Sequence, residues 1–351
     1  MSDAFVSPNG VQSERKTLKK RLTLTLLTVA GVLLMGFIVS RIGISAIIDS
    51  LRQVSIRQFI ILFLLRLAYW MLRTLCWQIV YCANCKEYGF LTFFSARMAG
   101  HAVSQLTPTS QIGSEATRMM MVSAPGRKLS LSSLIIDKTI EMLTATGFTL
   151  LALIILVQSI PLPRIIQMTL LIPTALFFLL ALVLILRQKK GLLTGILALA
   201  SKLHIRPAFF ERNREKIIQT DKLISGFYNG HRRRFLLVVF LYSLLLALWV
   251  TEVHLNMIFL NLPNVTLLES ALVTLTGNIT FLLAIIPGSL GVYEATYIGI
   301  FSLLGRPAKA AFSLVFMRRI LALIMAALGL FGFLTPRRSA GPVEKPADEQ
   351  C

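Results

Sequence analysis

The stretch Ile285–Thr296, "IIPGSLGVYEAT", lies deep in a hydrophobic chain, yet it gathers a proline, two glycines, a serine and a glutamate. Proline lacks a backbone donor and clashes with the preceding turn, while glycine weakens a helix, so a helix running through must break here. Far upstream, Leu106–Thr117, "LTPTSQIGSEAT", has almost the same skeleton. In each copy the proline is followed two residues later by serine and seven residues later by Glu-Ala-Thr: Pro108, Ser110 and Glu115, then Pro287, Ser289 and Glu294.

What surrounds these breaks decides the fold class. The chain is 55% hydrophobic and only 15% charged, and its mean hydropathy is +0.73. Runs such as "LTLTLLTVAGVLLMGFIVS" and "LLIPTALFFLLALVLIL" have the length needed to cross a hydrocarbon core of roughly 30 Å as helices. The alternation of a β-barrel is absent. An all-α, polytopic integral membrane protein is therefore expected. Six full spans can be drawn, at about 22–40, 56–80, 129–157, 164–187, 235–262 and 308–334. The first follows Arg15, Lys16, Lys19, Lys20 and Arg21; it exceeds a signal-peptide core in length and lacks a clean cleavage site, so it reads as an uncleaved anchor.

Charge supplies the orientation. The connection 187–234 carries twelve Lys/Arg against Glu211, Glu215 and Asp221, which puts it in the cytoplasm, as does the basic tail 1–21. Counting spans from either anchor gives cytoplasmic N- and C-termini. The net charge of +20 sits beside apolar spans and reads as topogenic and headgroup-facing, with no nucleic-acid partner. Segments 191–204 and 209–230 look basic and amphipathic, suited to an anionic leaflet. One transmembrane domain over 22–334 is expected, with a disordered tail at 335–351.

The same count places the two broken segments. Apolar helices at 89–106 and 266–284 each meet Pro-x-Ser, and short helices follow at 114–123 and 293–304. Each reads as a re-entrant helix–break–helix hairpin, the first opening from the cytoplasm and the second from outside. Halves 56–157 and 235–334 thus form an inverted-topology repeat, the arrangement by which secondary transporters place a site near the midplane.

Several side chains could serve such a site. Gly113, Gly288 and Gly291 permit unusual backbone at the breaks, and Ser114 or the adjoining glycine can cap the next helix, whose free N–H groups suit a phosphate. Glu115 and Glu294 begin that helix; for either, a structural cap, an arginine partner, a cationic headgroup and a proton are all open. Arg97 and His101 share a helix face, and Arg118 lies one turn after Glu115, so together they could wall a lipid phosphate. Asp137 and Glu141 in the third span and Arg318 and Arg319 in the sixth stand at nearly matching distances from their motifs, which suggests pairing between the halves. Arg66 and Arg73, with Tyr69 and Trp70 between them, face one side of the second span. Cys82 and Cys85 in "CANC" lack a second pair, and Glu252 and His254 are too close in register to share a face, so no metal or cofactor is expected. No Walker A, GxSxG or HExxH motif is present, and an enzyme is not expected.

The motifs "PGSLGVYEATYIGIFSLLG", the later "RR", "TPTSQIGSEATRM" and "DKTIEM" resemble the transmembrane-region family of lysylphosphatidylglycerol synthetases, which includes the flippase half of multiple peptide resistance factors and stand-alone flippase-like proteins. The resemblance covers roughly 20–335. It implies a lipid translocator of the bacterial inner membrane, with Pro287, Gly288, Gly291, Glu294, Glu115, Arg118 and Asp137 as functional positions. Its implied ligands are membrane lipids: an anionic or aminoacylated phospholipid, or a polyprenyl or hopanoid-type lipid. Two positions depart from the family pattern: the first motif reads "QIGSEA" where glycines are usual, and Tyr293 stands where arginine is usual. The synthetase domain is not seen, so an upstream lipid synthase is an expected partner, and a homo-oligomer is open. The competing expectation is a membrane scaffold that holds a lipid or a lipid-modifying enzyme without moving lipid.

Overall fold

The computed structural model describes residues 52, 54–81, 88–106, 110–122, 127–159, 163–202, 208–283 and 292–331. Among them are eleven helices. These are α1 (Ile56–Tyr81), α2 (Phe90–Leu106), α3 (Ser110–Met121), α4 (Arg127–Ser159), α5 (Arg164–Lys189), α6 (Leu192–Lys202), α7 (Ala208–Gly230), α8 (Arg232–Phe259), α9 (Leu267–Leu283), α10 (Val292–Leu303) and α11 (Ala308–Phe331). Five contain stretches long and apolar enough to cross a membrane: Ile56–Tyr81, Leu129–Gln158, Arg164–Lys189, Arg232–Phe259 and Lys309–Leu330. They coincide with five of the six expected spans. The first expected span, "CANC", Pro108, the break at 284–291 and both tails lie outside the described residues. The protein is a multi-pass, all-helical membrane protein.

Each broken segment is flanked as expected by two helices, α2 and α3 in one case, α9 and α10 in the other. One boundary differs. α3 starts at Ser110 rather than near 114, so Glu115 stands in its second turn, and Ser114 is not a cap. A single interior glycine costs a helix only about 1 kcal/mol, so Gly113 does not delay the helix start. Its carbonyl accepts a hydrogen bond from Thr117 Oγ1 at 2.8 Å. In the second copy, Glu294 is the third residue of α10.

Packing shows how the helices assemble. α1 and α8 run antiparallel through the centre: Leu62 packs in one cluster with Val253, Met257 and Leu260, while Cys76 and Val80 pack in another with Val238, Leu241 and Tyr242. α2 lies antiparallel to α11, with the His101 ring on the Ala322 carbonyl and Gly329 against Met98. α4 lies antiparallel to α9, where Thr149 Oγ1 donates to Leu275 O at 3.1 Å and Leu153 and Leu156 pack with Leu272. Exchanging α1–α4 with α8–α11 in order maps each principal packing among these eight helices onto another: α2 on α11 becomes α9 on α4, and α4 on α8 becomes α11 on α1.

The connection between the halves is more than a basic surface strip. α7 buries Thr220, Asp221, Ile224, Phe227 and Tyr228 while packing on α4, α5 and α8. Asp221 caps α6, accepting from the backbone of Leu193 and Thr194 at 3.1 and 2.9 Å. The apolar face of 209–230, expected to meet lipid, is thus largely occupied by protein. α5 is outermost and presents Ile165, Met168, Ile172, Leu176 and Leu179 outward, as a lipid-facing helix should.

Close helix approach sets a testable limit. A Cβ at Gly329 would fall on the Met98 carbonyl of α2, a backbone group that cannot swing aside. Gly329→Ala should lower stability by about 1–3 kcal/mol through overpacking, read as a lower melting midpoint in detergent. Gly226→Ala, where nothing lies within 4 Å, should leave the midpoint unchanged or raise it. Equal effects would contradict this packing.

Candidate functional site

The buried charges converge on Asp137, which is 1% exposed on the inner face of α4. Arg97 Nη2, from α2, donates to its Oδ2 at 2.9 Å. Arg118 Nη2, from α3, donates to the same oxygen at 3.0 Å. Tyr242, from α8, donates its hydroxyl to Oδ1 at 2.6 Å. Arg118 also reaches back to both oxygens of Glu115, at 3.1 and 2.8 Å. The Arg118 guanidinium lies 4.2 Å from the Trp77 ring centroid, and that of Arg97 5.6 Å from it, so the aromatic face from α1 shares in holding two like charges together.

Local sequence explains the approach. Arg97 sits among Ala96, Ala99, Gly100 and Ala102 on α2, so little side-chain bulk separates α2 from its neighbours. A Cβ at Gly100 would meet Ser114 O and Oγ at 2.9 Å and Arg118 Cγ at 3.1 Å. The glycine admits α3 and the stem of Arg118. One turn further along α4, Glu141 pairs with Arg73 of α1 and with Lys138 at 3.1 Å. Arg73, Arg97 and Arg118 thus balance Asp137, Glu115 and Glu141, while a fourth cation, Lys138, is 45% exposed at the edge. Without that balance a cluster of charges so deep in protein would carry a prohibitive desolvation cost.

The second half repeats the design with different chemistry. Tyr297 follows Glu294 by three residues, as Arg118 follows Glu115. Its ring fills the space beside Gly277, where a Cβ would come within 2.7–2.8 Å of it. Arg318, from α11, donates to the Tyr297 hydroxyl at 2.6 Å, and its guanidinium lies 5.0 Å from the Trp249 ring centroid. Glycine, hairpin side chain, long-helix charge and tryptophan therefore recur as Gly100, Arg118, Asp137, Trp77 and as Gly277, Tyr297, Arg318, Trp249.

Of the residues singled out in the sequence, Arg97, Glu115, Arg118, Asp137 and Glu141 are brought together. His101 is not: its ring lies 4.4 Å from that of Trp70 and its Nε2 faces Ala322 O at 3.3 Å, so it leaves the expected positive wall. The suggested pairing of Asp137 and Glu141 with Arg318 and Arg319 is replaced: among the described residues, both carboxylates take their cations from their own half. Arg66 of α1 binds Glu252 of α8, and His254 Nδ1 meets Ser270 Oγ at 2.9 Å, which separates Glu252 from His254 as expected. Pro108, Pro287, Gly288, Ser289 and Gly291, with the side chains of Ser110, Tyr293 and Glu294, lie outside the described residues. Sequence reading missed Tyr242, Trp77 and Tyr297. For the first two the available signal was a polar or amphipathic ring inside an apolar span; for Tyr297 it was its matching place in the second motif. Among the described residues no group of three or more His, Cys, Asp or Glu is placed to hold a metal.

The family model described as Lysylphosphatidylglycerol synthase TM region matches residues 22–329, most of the chain. No curated protein and no solved structure matches. The match ties this membrane region to lipid handling.

Removing Asp137 tests whether the cluster is a coupled unit. Asp137→Ala leaves two buried guanidiniums without their shared anion and should cost about 3–5 kcal/mol, read by thermal denaturation in detergent. Lys138→Ala, at a pair whose lysine is 45% exposed, should cost about 1 kcal/mol or less. Equal losses would show that Asp137 does not organise the cluster.

Proposed function

We propose that this chain, which belongs to the lysylphosphatidylglycerol synthase transmembrane-region family, moves a polar-headgroup lipid between the leaflets of a bacterial inner membrane. One observation carries the reading: Arg118, on the helix after the first break, divides its guanidinium between fully buried Asp137 and Glu115, whose side chain is 28% exposed. An anionic headgroup arriving at that edge can take the place of the Glu115 carboxylate on Arg118 and keep the interior neutral. The acyl chains stay in the bilayer throughout.

The antiparallel packing of α1 on its counterpart α8 supports an inverted repeat, because two halves of opposite orientation place equivalent helices in that relation, and the antiparallel pairs α2 on α11 and α4 on α9 exchange under the same mapping. In this reading 56–157 and 235–334 are the two repeats, each hairpin opens to a different face, and rocking of one half on the other alternates access. The termini and the basic segment 187–234 face the cytoplasm. The substrate is a membrane lipid with a phosphate or aminoacylated headgroup, supplied by a lipid synthase. Movement is downhill or ion-coupled, and the reading is non-enzymatic.

One observation favours a second reading. Each described charge of the Asp137 cluster has a partner, which suits a rigid scaffold that holds a lipid or an enzyme and transports nothing. Reconstitution separates the two. In liposomes carrying fluorescent phospholipids of several headgroups, the protein should accelerate flipping over protein-free vesicles. Glu115→Gln and Glu294→Gln should each lower that rate about tenfold, a difference of about 1.4 kcal/mol in the barrier, with the melting midpoint retained. A scaffold would give no acceleration with any headgroup, and that result would overturn the transport reading.

A further inference from the structure

The seam between α1 and α8 holds polar groups that the Asp137 cluster does not use. Asn256 of α8 is 0% exposed, yet neither its Nδ2 nor its Oδ1 has a hydrogen-bond partner. One turn before it, Glu252 is 2% exposed and binds Arg66 Nη2, while Arg66 Nε is buried and unpartnered. One turn before Glu252 stands Trp249, whose Nε1 is also buried and unpartnered. Spacings of three and four residues put Trp249, Glu252 and Asn256 on one face of α8, and the Arg66 pair shows that this face meets α1. On α1, Trp70 lies one turn from Arg66, again with an unpartnered buried Nε1.

Native interiors rarely leave such groups unmatched, and each needs a reason. The pattern here is lopsided. Arg66 Nε, Trp70 Nε1, Trp249 Nε1 and Asn256 Nδ2 are donors; Asn256 Oδ1 is the one acceptor among them. A row of donors beside a guanidinium fits an oxyanion rich in acceptors, because charge-assisted hydrogen bonds to such a group are the strong ones. Arg318 adds positive potential on the Trp249 ring, 5.0 Å from its centroid. We propose that the α1/α8 seam beside Arg66 is a second anion site, distinct from the Asp137 cluster, that receives the phosphate of a lipid headgroup through Arg66, Asn256 and Trp249.

The proposal deepens the transport reading and rests on it for the lipid as ligand. In that setting the seam is a station where the two halves meet: the phosphate accepts from the unused Arg66 Nε and from Asn256 Nδ2, while Glu252 keeps its bond to Arg66 Nη2.

Binding can be measured without transport. The chain has three tryptophans, and Trp249 is part of this site, so intrinsic fluorescence of the detergent-purified protein reports occupancy. The probes are dihexanoyl phosphatidylglycerol, inorganic phosphate and phosphate-free dihexanoylglycerol. Phosphatidylglycerol should give a saturable change in emission that dihexanoylglycerol does not. Asn256→Leu should weaken that binding about tenfold while holding or raising the melting midpoint, since it removes an unmatched buried amide; Asn256→Ala should weaken binding to a similar degree. Competition by inorganic phosphate assigns the site to the oxyanion alone, and failure to compete assigns it to the whole headgroup; either supports the site. Equal response to dihexanoylglycerol, or unchanged affinity in both Asn256 variants, would overturn it. If flipping in liposomes persists while Asn256-dependent binding is absent, this site fails and transport stands. Intact binding without any flipping sinks the transport reading instead.

Discussion

A charge inside a membrane protein must be matched by another, and the first half of this structure is arranged around that requirement. Asp137 collects Arg97, Arg118 and Tyr242 from three other helices, and Trp77 of α1 lies under the two guanidiniums. In the low-dielectric interior, an attraction that is weak in water becomes strong enough to fix helix positions, and an unmatched group becomes correspondingly costly. The close approach of α2 and α3 at Gly100 is a steric condition for that electrostatic match. Packing and charge are thus two sides of one constraint: small residues bring the helices near, and the carboxylate holds them there.

The second half places different groups at the matching positions. Where Arg118 faces Asp137, Tyr297 faces Arg318, and a tryptophan backs the arginine in each case. A hydroxyl brings no charge of its own, so the chemistry at these matching positions differs between the halves.

Much of this was legible in the sequence because it depends on local pattern. Long apolar runs gave α1, α4, α5, α8 and α11, and the described helices α2 and α3, and α9 and α10, flank the segments that hold the prolines at 108 and 287. The failures came where tertiary context decides. Gly113 looked like part of the break and lies within α3, because flanking helix-compatible residues outweigh one glycine. Asp137 and Glu141 were matched with Arg318 and Arg319 by their spacing from the motifs, yet spacing along a chain does not say which helix lies opposite. Arg97 and Arg73, on α2 and α1, were nearer. Tyr242 and Trp77 gave no periodic signal at all, being single amphipathic rings in apolar runs whose partners are far away in sequence. His101 shared a face with Arg97 by helical arithmetic and still turned to α11, because a stack on Trp70 was within reach.

The proposed transport requires opposite orientation: broken helices in the two halves must open to different sides of the membrane for one interior to be served from both. Single cysteines at Gly89, ahead of α2, and at Pro263, ahead of α9, in a cysteine-free background test this directly in sealed vesicles of defined sidedness. Both positions are exposed in the protein. A membrane-impermeant maleimide should label position 89 only from the cytoplasmic face and position 263 only from the opposite face. Labelling of both from one face would contradict the inverted arrangement and, with it, alternating access to the charged interior.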